Sequence, residues 1–174
     1  MNLILFGFKR CGKTTLGKQL ASALKRPFID TDSLVEKMYA DREKKHLPLR
    51  EIVASLGFNA FRKLEMDAVN SLANVKESVI AVGGGTVLSP DTVNALEKIG
   101  QLVYLKVGKE TLKKRLLAGE LPLFLDPKNP EASFEKMYAE RKSIYEAIAA
   151  ITIDAEGKSE KEILSLLEEV VRGK

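Results

Sequence analysis

The chain has 174 residues, 45% of them hydrophobic, and a net charge of +4, which is enough apolar material for one core of ordinary single-domain size. It contains no run of 18 or more apolar residues for a membrane span, and Met1 to Phe6 is too short, and too soon interrupted by Gly7 and Lys9, for a signal peptide; a lone cysteine, Cys11, excludes an internal disulfide. Lysines and arginines alternate with acids, as in Arg42-Glu43-Lys44-Lys45 and Glu160-Lys161-Glu162, so the positive balance describes solvated faces of a cytoplasmic protein with no nucleic-acid or membrane partner.

Leu3 to Phe6 reads as a buried strand and Thr15 to Leu24 as a helix, with Leu16, Leu20, Ala23 and Leu24 at helical spacing. Between them, Gly7-Phe8-Lys9-Arg10-Cys11-Gly12-Lys13-Thr14 has the G-x-x-x-x-G-K-T spacing of a phosphate-binding loop. A strand delivers the loop, backbone N–H groups from Gly7 to Thr15 wrap the phosphates, and the helix turns its positive end toward them. Lys13 is the cation for the β- and γ-phosphates, and the Thr14 hydroxyl is a ligand for Mg²⁺. Cys11, inside the loop, reads as a small packing residue.

Pro27 ends that helix, and Phe28-Ile29 is a short strand running into Asp30-Thr31-Asp32. Two carboxylates therefore stand at the carboxyl end of a strand, the edge where open parallel sheets bind ligands. Ser33, with Glu36 three residues on, is expected to form a capping box for a helix through Tyr39. Leu49 to Leu56 reads as a short helix closed by Gly57, and Phe58 to Leu72 as another, carrying Arg62 and Glu65 as neighbours. On spacing alone a solvent-exposed ion pair is the better reading.

Ser78 to Val82 is a core strand that runs into Gly83-Gly84-Gly85, where missing side chains let a ligand approach the backbone. Ser89 and Pro90 begin a helix to Ile99, Leu102 to Val107 is a strand, and a helix from Lys109 or Glu110 ends at Leu117. From Gly119 to Pro130 periodicity is lost among three prolines, which marks a lid-length loop. Ser133 to Ala149 is helical, with Arg141 and Tyr145 one turn apart; Ile151 to Asp154 is the last strand, and Ser159 to Arg172 is an amphipathic terminal helix. Alternation of strands and helices over the whole length predicts an α/β fold with a parallel sheet.

The phosphate loop, Asp30-x-Asp32, Phe61-Arg62 with Glu65, the triple glycine and Arg141, in that order, resemble the shikimate kinases over nearly the full chain. The resemblance implies a single domain over 1–174 with the P-loop nucleoside monophosphate kinase-like three-layer sandwich. It further implies a five-stranded parallel sheet, a substrate-binding helical region at about 33–72, a mobile lid at about 119–130 and a monomeric state. It implies transfer of the γ-phosphoryl group of ATP to the 3-hydroxyl of shikimate with Mg²⁺ as cofactor.

On that pattern Thr14 and Asp30 serve the metal, and Asp32 holds the acceptor hydroxyls and takes the proton. Arg62 and Arg141 clamp the carboxylate, Glu65 orients Arg62, Gly83, Gly84 and Gly85 line the ring, and Arg115 lies beside adenine. The chain departs from the family at Leu121, where the lid is expected to carry an arginine, and at Arg10, where many relatives have glycine. The expectation drawn from that coincidence is that Arg10 or Lys9 supplies the missing cation from the loop, with Lys128 as the lid's own candidate. Two other readings fit less of the pattern: a gluconate- or nucleotide-type small-acceptor kinase, and a binding protein weakened in catalysis by Leu121.

Overall fold

The computed structural model describes residues 1–173. Its sheet is built from β1 (Asn2–Phe6), β2 (Phe28–Asp30), β3 (Val79–Ala81), β4 (Gly100–Lys106) and β5 (Ile151–Asp154), in the order β2-β3-β1-β4-β5. Every pairing is parallel, with Leu3 opposite Val79 on one side and Gln101 on the other. The central strand β1 is buried along its entire length, as a parallel strand covered on both faces must be.

The helices are α1 (Lys13–Leu24), α2 (Thr31–Glu43), α3 (Leu49–Asn70), α4 (Pro90–Ile99), α5 (Lys109–Leu117), α6 (Pro130–Ile148) and α7 (Glu160–Arg172), with a 3-10 turn at Thr86–Leu88. The chain steps left from β1 to β2 and rightward in later crossovers. Right-handed connections therefore set α1 against one sheet face and α3 to α6 against the other, in keeping with the contacts of α3 with α4 and α5 with α6, while α7, beyond the last strand, packs against α1. Ser159 caps α7 through Glu162 in a complete capping box.

Two apolar clusters result. The larger surrounds the sheet, and a second, of Val35, Tyr39, Ile52, Val53, Phe61, Leu64 and Ala68, sits between α2 and α3. Gly57 interrupts α3 with φ 75° and ψ 162°, a conformation that favours glycine, so the expected break at that residue is real although the helix continues on both sides.

The expected capping by Ser33 is not what forms. The α2 helix begins three residues earlier, where Asp30 Oδ1 accepts from the Asp32 N–H at 3.0 Å, because a carboxylate one residue before the helix satisfies a first-turn donor directly. Glu36 instead accepts from the Leu49 N–H at 2.7 Å and tethers the start of α3. Similarly α6 begins at Pro130, so the irregular lid segment ends one residue sooner than the sequence suggested; proline at the first helical position forfeits no hydrogen bond.

Candidate active site

The carboxyl ends of β1, β2 and β3 deliver the phosphate loop, Asp30 and the triple glycine to one sheet edge. A cleft of about 430 Å³ opens there, lined among others by Lys13, Thr14, Asp32, Arg62, Gly84 and Arg141. The loop is wound by Gly7 at φ 149° and Gly12 at φ 101°. Phe8 and Cys11 are buried beneath it, so Cys11 is a packing residue as expected. Phe8 stacks on Tyr138 and meets Tyr145, both from α6, with ring centroids 4.9 and 4.8 Å apart, which fixes the loop to the helix that carries Arg141.

Lys13 Nζ donates to Gly7 O at 3.0 Å and Phe8 O at 2.9 Å; it spans the loop and holds an ammonium where phosphate oxygens can replace the carbonyls. Thr14 Oγ1 donates to Asp30 Oδ2 at 2.9 Å. A hydroxyl and a carboxylate in contact are hard oxygen donors suited to Mg²⁺, which takes few protein ligands and completes its shell with water and phosphate. Among the described residues no group of three or more His, Cys, Asp or Glu side chains forms a larger cage.

Asp32, in the first turn of α2, lines the same cleft. Burial, and then the neighbouring Asp30 charge, push its pKa up from 3.8 to about 6, against the opposing pull of Lys13. Its carboxylate is thereby brought close to the range in which a general base both accepts and holds a proton near neutrality.

Arg62 is paired with Glu65, one turn on along α3. Glu65 is 5% exposed and also accepts from Thr86 Oγ1 at 2.6 Å, so the spacing that fitted a surface pair belongs to a buried anchor that orients a guanidinium into the cleft. The triple glycine is explained by crowding. A Cβ on Gly83 would lie 2.8 Å from Asp32 Oδ1, one on Gly84 would lie 3.1 Å from Gly7 O, and one on Gly85 would collide with the Arg62 guanidinium. None of the three has positive φ, so space and not backbone twist demands glycine. Tyr145 Oη donates to Gly84 O at 2.5 Å and fixes the segment from the far side. Arg141 lies over the lid's Phe124, its Cζ 4.7 Å from the ring centroid, a cation–π contact.

Arg10, expected to be a catalytic cation, is otherwise engaged. Its guanidinium donates to Arg115 O at 2.5 Å, Leu116 O at 3.3 Å and Glu120 O at 3.1 Å. The first two are carbonyls at the C-terminal end of α5, where the helix dipole favours a cation, and the third lies just beyond it at the start of the lid. Arg115 returns a bond to Arg10 O at 3.2 Å, which ties it to the nucleotide loop. Lys9 lines the cleft; burial lowers its pKa, with Asp32 opposing and Arg10 and Arg50 adding to the fall. Lys128 is exposed and its N–H is taken by Asp126.

The cleft also holds residues the sequence reading gave no role. Phe58, Leu123 and Phe124 supply apolar walls, and Arg50 reaches the lid from α3. The lone signal for Arg50 was a cation in the first turn of a helix, where the dipole disfavours it.

Comparisons with known proteins point to one family. The family model described as shikimate kinase matches residues 9–172. The chain is 38% identical to a shikimate kinase of Caldanaerobacter subterraneus subsp. tengcongensis over 98% of this chain and 94% of the relative. It is 35% identical to one of Moorella thermoacetica, again over 98% and 94%. Among solved structures, a shikimate kinase from Acinetobacter baumannii in complex with shikimate superposes with a TM-score of 0.87 at 26% identity, covering 99% of this chain and 93% of that one. The enzyme from Aquifex aeolicus gives 0.82 at 29%, covering 99% and 97%. With the family model matched over residues 9–172 and relatives at 35% and 38% identity matched over nearly their full length, this chain belongs to the shikimate kinase family.

Proposed function

We propose that the protein transfers the γ-phosphoryl group of ATP to the 3-hydroxyl of shikimate. The observation that carries the reading is that Arg62, Arg141, Asp32 and the triple glycine line the same cleft as Lys13 and Thr14. Guanidiniums for a carboxylate and a carboxylate for hydroxyls are the groups a polyhydroxylated acid calls for, and here they share a wall with the phosphate loop.

In this reading Asp32 orients the attacking hydroxyl and takes its proton, Arg62 and Arg141 clamp the carboxylate, and Gly83 to Gly85 line the ring. The loop and Lys13 bind the triphosphate. Thr14 and Asp30 would hold Mg²⁺, which screens the phosphate charge when bound. Because the transition state for phosphoryl transfer is loose, alignment and cations around the moving group supply most of the acceleration. The aromatic seat under Phe8 and the Glu65–Thr86 anchor serve alignment by fixing the groups that touch the reactants.

All of these groups come from one chain, which supports a monomer as the working unit, and a cytoplasmic setting belongs to the same proposal. No helix of the described residues is long and apolar enough to cross a membrane.

The test is ADP release from Mg-ATP by the purified protein, with and without shikimate, against a panel of gluconate and nucleoside monophosphates. Shikimate-dependent release, with the product phosphorylated at the 3-position, is the expected result. ADP release that follows another acceptor, or nucleotide binding with no turnover, would overturn the assignment.

A further inference from the structure

The cleft's cations differ in how far they are committed. Lys13 is bound to loop carbonyls, Arg10 to the end of α5, Arg62 to Glu65 and Arg141 to the Phe124 ring. Arg50 is held by the lid alone. Its Nη1 donates to Leu121 O at 2.7 Å and its Nε stands 3.2 Å from Glu120 Oε1, while Nη2 has no hydrogen-bond partner among the described residues.

A guanidinium carries donors on all three nitrogens, so the lid grips one edge and leaves the other available. Arg50 lines the cleft together with Lys9, Lys13 and Asp32, and its charge is felt at Lys9 beside the phosphate loop. The position is also one that the local structure disfavours. Arg50 is the second residue of α3, where the helix dipole repels a cation, and Glu120 and the Leu121 carbonyl offset that repulsion only while the lid lies against α3.

We infer that Arg50 is the lid-delivered cation of phosphoryl transfer: the Leu121 carbonyl and Glu120 carboxylate hold its guanidinium in the cleft wall with Nη2 free to meet an oxygen of the transferring phosphate. The inference rests on the kinase reading above. It accounts for a lid with leucine at position 121, since the charge comes from the opposite wall and the lid contributes the acceptors that aim it. Opening the lid removes both acceptors, so the site gains this charge only when closed, which suits a group needed more in the transition state than in substrate binding.

The experiment compares the parent with Arg50→Ala and with Arg50→Ala combined with Leu121→Arg, which returns a guanidinium from the residue whose carbonyl Arg50 grips. Steady-state kinetics with ATP and shikimate are read beside calorimetric affinities for ADP and for the β,γ-imido analogue of ATP.

Arg50→Ala is expected to lower kcat about 100-fold with the shikimate KM within about threefold, the pattern of a lost transition-state contact. Its ADP affinity stays unchanged, its preference for the triphosphate analogue over ADP falls about tenfold, and the double variant recovers at least about tenfold in kcat. The inference is overturned if Arg50→Ala keeps both kcat and the triphosphate preference within about twofold of the parent. It is also overturned if ADP and triphosphate affinities fall together, which would make Arg50 a support of the lid only. A parent without shikimate-dependent turnover whose triphosphate preference still vanishes in Arg50→Ala would sink the acceptor assignment and leave the role of Arg50 standing.

Discussion

Arg10 and Arg115 exchange bonds across the base of the lid: each guanidinium donates to the other residue's backbone carbonyl, at 2.5 and 3.2 Å. The exchange couples the phosphate loop to the end of α5, after which the lid begins, and it explains an arginine at a left-handed position, φ 64°. That conformation costs a non-glycine residue about 1–2 kcal/mol, and the guanidinium's contacts with the α5 carbonyls offset it. Arg10→Gly removes strain and contacts together and is expected to unfold in urea within about 1 kcal/mol of the parent. Arg10→Ala keeps the strain, loses the contacts and falls about 1–2 kcal/mol below it. Both should speed protease cleavage between Gly119 and Leu125. Equal stability of the two variants would show that the backbone at Arg10 is unstrained.

Asp32 makes stability and activity respond to pH in opposite senses. Its pKa is raised by burial to about 6 from 3.8, so the folded state binds the proton more tightly than the unfolded chain does. The stability contributed by the protonated group is whole below about pH 4 and is lost as pH rises through about 6. At neutral pH the ionised carboxylate costs about 3 kcal/mol. Asp32→Asn should accordingly be more stable than the parent above pH 6, with the gap closing toward pH 4 in urea titrations. On the proposed role of Asp32 as proton acceptor, turnover needs the ionised form, so kcat/KM for shikimate should fall below about pH 6 in the parent, and the variant should lose about 10²-fold or more at its optimum. A parent profile flat from pH 5 to 8 would remove Asp32 as the proton acceptor.

At Gly85 the prediction turns on space. With φ −84° the backbone accepts any residue, but a Cβ would strike the Arg62 guanidinium. Gly85→Ala should leave the melting temperature nearly unchanged and raise the shikimate KM by about tenfold or more, as the clamp is pushed off its carboxylate. The KM for ATP should not move. A parallel rise in both constants would mean that the glycine segment serves the whole cleft.

Thr86 tests the anchor under Arg62. Its hydroxyl is 2.6 Å from Glu65 Oε1, and both residues are buried. Thr86→Val keeps the shape and deletes the donor, leaving the carboxylate with one partner fewer at a cost of about 1–3 kcal/mol in denaturant unfolding. The shikimate KM should rise in step because Arg62 is less firmly held. Wild-type stability in Thr86→Val would show that water serves Glu65 equally well.

The sequence by itself determined the order of elements, the phosphate loop and the sheet class, because these follow from short-range patterns. The apolar run at Leu3–Phe6, the glycine and lysine spacing that follows, and the 3.6-residue periods of the helices are each complete within a few residues. It misjudged the start of α2, where Ser33 and Glu36 satisfied a local rule that Asp30 satisfies one residue before the helix.

What only the tertiary structure decided is which charges meet. Arg62 and Glu65 have the spacing of a surface pair, and only the approach of Gly85 and Thr86, from the segment that follows β3, makes them a buried anchor. Arg10 and Arg50 could each have faced the phosphates; the end of α5 holds the first and the lid grips the second by an edge. These partners belong to segments that close in from 21 to 110 residues away, and no local pattern records their distance or direction.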